Sequence, residues 1–147
     1  MGHYKANLRD ITFNLFEVFD AEVSAFGRGP YDQVDAATAR GILAEVDRLA
    51  RQDLAPSFAS GDRHPPTFDP ATHTAALPED FRAAFQKLMD SQFWRLDLAP
   101  ELGGTRAPRM LWWSLAELIL GANAAIWMYA LSSTAGRSGK TAESAPM

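Results

Sequence analysis

The chain holds 147 residues, enough for one domain with its own core. Apolar residues make up 47% and charged residues 22%, the balance of a soluble globular protein, and a net charge of -4 with no basic stripe among the aromatics argues against nucleic acid as a partner. Cysteine is absent, which excludes disulfides, thiolate catalysis and cysteine-ligated zinc and fits a reducing, cytoplasmic setting.

Residues 1–10 carry Lys5, Arg9 and Asp10 and lack the apolar run of a secretory signal. Ile11, Leu15, Val18 and Phe19 follow helical spacing, while Ile11, Phe13 and Leu15 alternate as a strand would. A helix from about Asp10, with Asp10 as its N-cap, is the favoured expectation. Gly27, Gly29 and Pro30 then break the chain. The second helix is the clearest. Asp35 offers an N-cap, and Ala39, Ile42, Leu43, Val46, Leu49, Ala50 and Leu54 recur at three- and four-residue steps to form one apolar stripe. Pro56 is expected to kink or end it, because proline lacks the amide hydrogen and crowds the preceding turn.

Over residues 60–78, Gly61, Pro65, Pro66 and Pro70 argue against helix. Thr67-Phe68 and residues 72–77, separated by Asp69-Pro70-Ala71, predict a small β-hairpin or a structured loop. Pro78 suits the first turn of a third helix, with Glu79 and Asp80 near its positive end and Phe81, Ala84, Phe85, Leu88 and Met89 on its buried face. Pro100, Gly103 and Gly104 punctuate a loop over residues 96–104. A fourth helix is expected from Arg109 to about Gly121, and a fifth, capped by Asn123, from Ala124 to about Leu131. Residues 132–147, rich in Ser, Thr, Ala and Gly without periodicity, predict a disordered tail. The fold class expected is all-α, about five helices with one short β-hairpin or structured loop, in a domain spanning residues 1–131.

Residues 110–131 are almost wholly apolar, so length alone permits a membrane span. Glu117 near the middle, and Gly121-Ala122-Asn123 as a break and cap, favour buried core helices instead. His64 and His73, with Asp62 and Asp69 nearby, admit a metal-site reading, but their spacing is not that of a helical ligand pair and exposed loop histidines are the preferred one. No metal site and no catalytic residue is assigned. Nucleophile-elbow, phosphate-loop and dinucleotide-binding patterns are absent. Pairs such as Glu79-Asp80 and Glu17-Asp20 belong to helix starts and solvated faces.

Four stretches carry a family likeness when read together: MGHYKANLRD (1–10) continuing to FNLFEV (13–18); DRHPP (62–66) with FDPATHT (68–74); WRLDLAPELGG (94–104), a proline-glutamate-x-glycine-glycine turn; and AEL (116–118) followed by GAN (121–123) and AIWMY (125–129). They resemble the N-terminal helical domain of the acyl-CoA dehydrogenases, in particular a long-form bacterial group. The resemblance covers residues 1–130 and is absent from 132–147. It implies a helical domain that packs against a central β-domain and a C-terminal four-helix bundle, with FAD held between those two, partly across a dimer contact.

The reaction so implied is α,β-dehydrogenation of an acyl-CoA thioester: a carboxylate takes the α-proton and a hydride passes from the β-carbon to the flavin. The flavin-binding segments and that carboxylate lie downstream in the family, so the expectation is a truncated protein that binds no FAD by itself. The share implied for this domain is a wall of the acyl-chain pocket, with Ile126, Trp127, Tyr129 and Ala130 as candidate substrate-binding residues; the same residues read equally as core packing. Partners implied are acyl-CoA, a second copy, or a separately encoded flavin-binding remainder. Trp112, Trp113, Trp127 and Tyr129 are expected to leave an apolar face bare for such a contact.

Overall fold

The computed structural model describes residues 3–143, with side chains described for residues 3–130. Helix α1 (Leu8–Phe13) opens the fold. Its N-cap is Asn7, not Asp10: the Asn7 side chain accepts from the Asp10 backbone N–H at 3.3 Å, so the helix starts two residues earlier than its charge pattern suggests. A π-turn follows at Asn14–Val18, closed by Phe19 N–H to the Asn14 carbonyl at 2.9 Å. The wider turn adds a residue and rotates what comes after it. Ile11 and Leu15 therefore stay buried while Val18 and Phe19, in phase by simple helical spacing, face solvent. A single-turn helix α2 (Ala21–Ser24) and the glycines at Gly27 and Gly29, both at positive φ, lead to the next long element.

Helix α3 (Ala36–Leu49) is capped as its sequence predicts, Thr38 N–H donating to Asp35 Oδ1 at 2.7 Å. Its stripe of Ala39, Leu43, Val46 and Leu49 is buried. The helix does not end at Pro56. A second π-turn, Ala50–Leu54, intervenes, and helix α4 (Ala55–Arg63) begins afresh with Pro56 in its first turn. There the missing N–H costs nothing, because first-turn amides have no partner within the helix. Residues 60–63, expected to be irregular, are consequently helical. The hairpin is as expected: β1 (Thr67–Asp69) pairs antiparallel with β2 (Thr74–Ala76), Phe68 opposite Ala75. Asp69 organises its turn, accepting from Ala71 N–H at 2.9 Å and from the Thr72 hydroxyl at 2.8 Å.

Helix α5 (Glu79–Asp90) buries Phe81, Ala84 and Leu88, with Pro78 as its N-cap residue. Two short 3-10 turns follow, and the chain folds back at Gly103-Gly104. A side chain at Gly104 would stand 2.3 Å from the Leu98 carbonyl oxygen, so the close approach requires glycine. Helix α6 (Arg109–Glu143) bends at Asn123, whose φ of -160° and ψ of 98° split it into two halves where a break and cap are expected. Its backbone is helical beyond the expected boundary at Leu131. The tail expected over residues 132–147 falls beyond the described side chains, and residues 144–147 lie outside the described residues altogether.

α6 is the centre of the molecule. Leu111, Leu115, Leu118, Ile119 and Ile126 are fully buried against Leu43 and Val46 of α3, Leu54, and the apolar face of α5. The stretch from Arg109 to Ala130 is long and apolar enough to cross a membrane, yet 56% of its most apolar 18-residue window, of mean hydropathy 1.2, is buried within the chain, and Glu117 sits on the exposed side. Ion pairs on the surface, Lys87 with Asp53 and Arg109 with Asp97, tie α5 to the π-turn before α4 and the 3-10 turn to α6. Such exposed pairs contribute little beside the apolar core.

Candidate functional site

The bend in α6 places a buried amide where a helix would otherwise leave its first N–H groups without partners. Asn123, only 2% exposed, accepts from Ile126 N–H at 3.3 Å through Oδ1 and donates through Nδ2 to Ser57 Oγ of α4 at 3.0 Å. Ser57 in turn donates to the Leu54 carbonyl at 2.8 Å. This short chain of bonds fixes the second half of α6 against α4 and gives the Asn123 amide and the Ser57 hydroxyl partners in the buried setting.

Beside the amide lies a partly open cavity of about 370 Å³. Phe58 and Gly61 of α4 line one side, Leu77, Pro78 and Phe81 the second, and Asn123, Ala125 and Tyr129 of α6 the third; Pro66 and Asp62 complete the rim. Tyr129 is held by aromatic edges, its ring centroid 5.4 Å from Phe81 and 6.5 Å from Phe85, both near perpendicular. The volume lies within the range of small-molecule sites, and the lining is mainly apolar with a few polar groups, which is the composition that takes an alkyl chain. Among the described residues Asp62 is the one charged side chain on it. A carboxylate there repels a pyrophosphate, so the cavity does not fit the charged half of FAD.

The four candidate residues divide. Tyr129, 46% exposed, lines the cavity. Ile126, Trp127 and Ala130 point the other way into the core, Trp127 against Trp112 with ring centroids 5.3 Å apart. Trp127 and Ala130 border a void of about 10 Å³ between α5, the 3-10 turn after it and α6, far too small for an alkyl chain. Trp112 and Trp127, expected on a bare face, are thus enclosed by the chain itself. Trp113, 60% exposed, Leu120 and Met128 form the apolar face that α6 does present. Phe58 and Gly61 do not stand out in the sequence, because Pro56 reads as a helix end before them. The histidines do not converge: His3 donates from Nε2 to the Ala122 carbonyl at 3.0 Å and stacks on Phe58, and His64 caps back onto Ser60. Among the described residues no three His, Cys, Asp or Glu side chains group as metal ligands.

No family model matches the chain. Over 130 residues, 88% of its length, it is 47% identical to the broad-specificity linear acyl-CoA dehydrogenase FadE5 of Mycobacterium tuberculosis, and it spans 21% of that relative. Identity at this level along nearly the whole chain makes it similar to about a fifth of an acyl-CoA dehydrogenase.

Proposed function

We propose that this chain supplies one wall of the acyl-chain pocket of an FAD-dependent acyl-CoA dehydrogenase acting in fatty-acid breakdown. The observation that carries the reading is the apolar cavity between α4, α5 and the second half of α6, in a chain similar to part of such an enzyme. Tyr129 meets the acyl tail, while Ile126, Trp127 and Ala130 hold the helix that presents it. The catalytic carboxylate and the flavin belong to the rest of the family protein, and no chemical step is assigned to these residues. A cytoplasmic location goes with this reading, on the strength of the family likeness. Calorimetric titration of the purified chain with linear acyl-CoA thioesters tests it. Saturable binding that Tyr129→Ala weakens is expected, with no flavin absorbance retained through gel filtration and no dye reduction. Absence of saturable binding sinks the proposal.

The exposed face of Trp113, Leu120 and Met128 favours a second reading, a helical interaction module that binds another copy or a flavin-containing partner. Light scattering distinguishes the two: association that rises with concentration and falls in Trp113→Ser supports the module, and a monomer at high concentration counts against it.

A further inference from the structure

We infer that Gly61 is a specificity-determining residue, kept without a side chain so that the cavity can admit a long acyl tail. The inference rests on the reading of the cavity as an acyl-chain site. Gly61 sits in the last turn of α4, where glycine is the poorest helix former after proline. The backbone does not require it, since Gly61 has no positive φ and the αL position that favours glycine at helix ends is not here. Packing does not require it either. A Cβ at this position would meet only the Phe81 ring, at 3.6 Å, an ordinary contact. Gly104 shows the contrast, with backbone atoms at 2.3 and 2.5 Å. What a larger side chain at position 61 would enter is the cavity, whose lining includes both Gly61 and Phe81. Its neighbours there, Phe58, Leu77 and Tyr129, are apolar or aromatic, so the space left by the glycine suits methylene groups.

The test compares Gly61→Ala, Gly61→Leu and the control Gly41→Ala, which lies in α3 with open space around it. Each purified chain is titrated with hexanoyl-CoA and with hexadecanoyl-CoA, and its Tm is measured. Gly61→Ala and Gly41→Ala should hold or raise Tm, by up to about 4 °C. Gly61→Leu should weaken hexadecanoyl-CoA by about tenfold, the effect of displacing roughly two buried methylenes, and change hexanoyl-CoA little. Gly41→Ala should bind both as the parent does. If the parent binds both thioesters and Gly61→Leu lowers them equally or not at all, the role of Gly61 is refuted while the cavity reading stands. A fall in Tm for Gly61→Ala refutes it too, by showing that packing demands the glycine. If the parent binds neither thioester, the cavity reading itself fails.

Discussion

Asn123→Ala is the substitution that most directly probes the bend. It removes the cap on Ile126, an interaction of about 1 kcal/mol, and the buried bond to Ser57, about another 1 kcal/mol. Ser57 keeps its own acceptor at Leu54, so no hydroxyl hydrogen is stranded and the two losses are close to the whole effect. The expected destabilisation is about 2 kcal/mol, or about 6 °C in Tm for a chain of this length. Urea unfolding followed by tryptophan emission measures it, since Trp112 and Trp127 lie in the core beside the bend. Asn123→Ser should recover the cap but not the reach to Ser57, and so lose about half as much. A double-mutant cycle with Ser57→Ala should return a coupling near 1 kcal/mol. If Asn123→Ala lies within about 0.5 kcal/mol of the parent, the amide is not what secures the bend, and the reasoning is wrong.

Gly104→Ala should lower the urea midpoint by the equivalent of about 2–4 kcal/mol, because its Cβ would overlap backbone atoms of Leu98 that have nowhere to move. The Thr38 backbone N–H holds the Asp35 carboxyl below its usual range. Its contribution is therefore complete above about pH 4 and fades as pH falls through the lower folded value. Asp35→Asn, an equally good cap, should flatten that acid-side loss in midpoint-against-pH profiles, whereas Asp35→Ala should weaken the fold at neutral pH as well. Burial, reinforced by Asp47, pushes the Tyr4 hydroxyl up to about 12. Unfolded tyrosine ionises first, from about pH 10, so the fold loses stability as pH rises through that interval. Tyr4→Phe should abolish the alkaline loss and leave neutral-pH stability equal or higher, since the buried hydroxyl has no hydrogen-bond partner among the described residues; a lower midpoint at neutral pH refutes this.

Much of the fold is legible because local chemistry and burial agree. Asp35 reads as a cap and is one; Thr67 to Ala76 reads as a hairpin and pairs in register; Asn123 reads as a break inside an apolar run and marks the bend. The two π-turns are what sequence spacing does not reveal. Each inserts a residue with no compositional mark, so Val18 and Phe19 turn outward although their spacing says inward. The second also lets the chain pass Pro56 as a first-turn proline, which carries Phe58 and Gly61 onto a helix that faces the cavity. The lining of the cavity is therefore only partly legible: Tyr129 stands out within an apolar, aromatic run of α6, but its neighbours across the gap do not stand out in α4. Trp112 and Trp127 show the opposite failure. Aromatic density suggested a bare face, and tertiary packing closed it.

The bend in α6 changes direction without changing face. Leu111, Leu115, Leu118 and Ala122 before it, and Ile126, Trp127 and Ala130 after it, keep the three- and four-residue rhythm of one buried stripe. Packing thus gives no reason for the break, since an apolar residue at position 123 would continue the stripe. A break in a helix frees amide hydrogens, and the asparagine side chain takes up the buried one, at Ile126. The polar residue lies where α6 meets α4 beside the cavity. Its second bond, to Ser57, ties α6 to α4 beside the cavity that both helices line, so the amide serves the backbone at the break and the contact between the two helices at once.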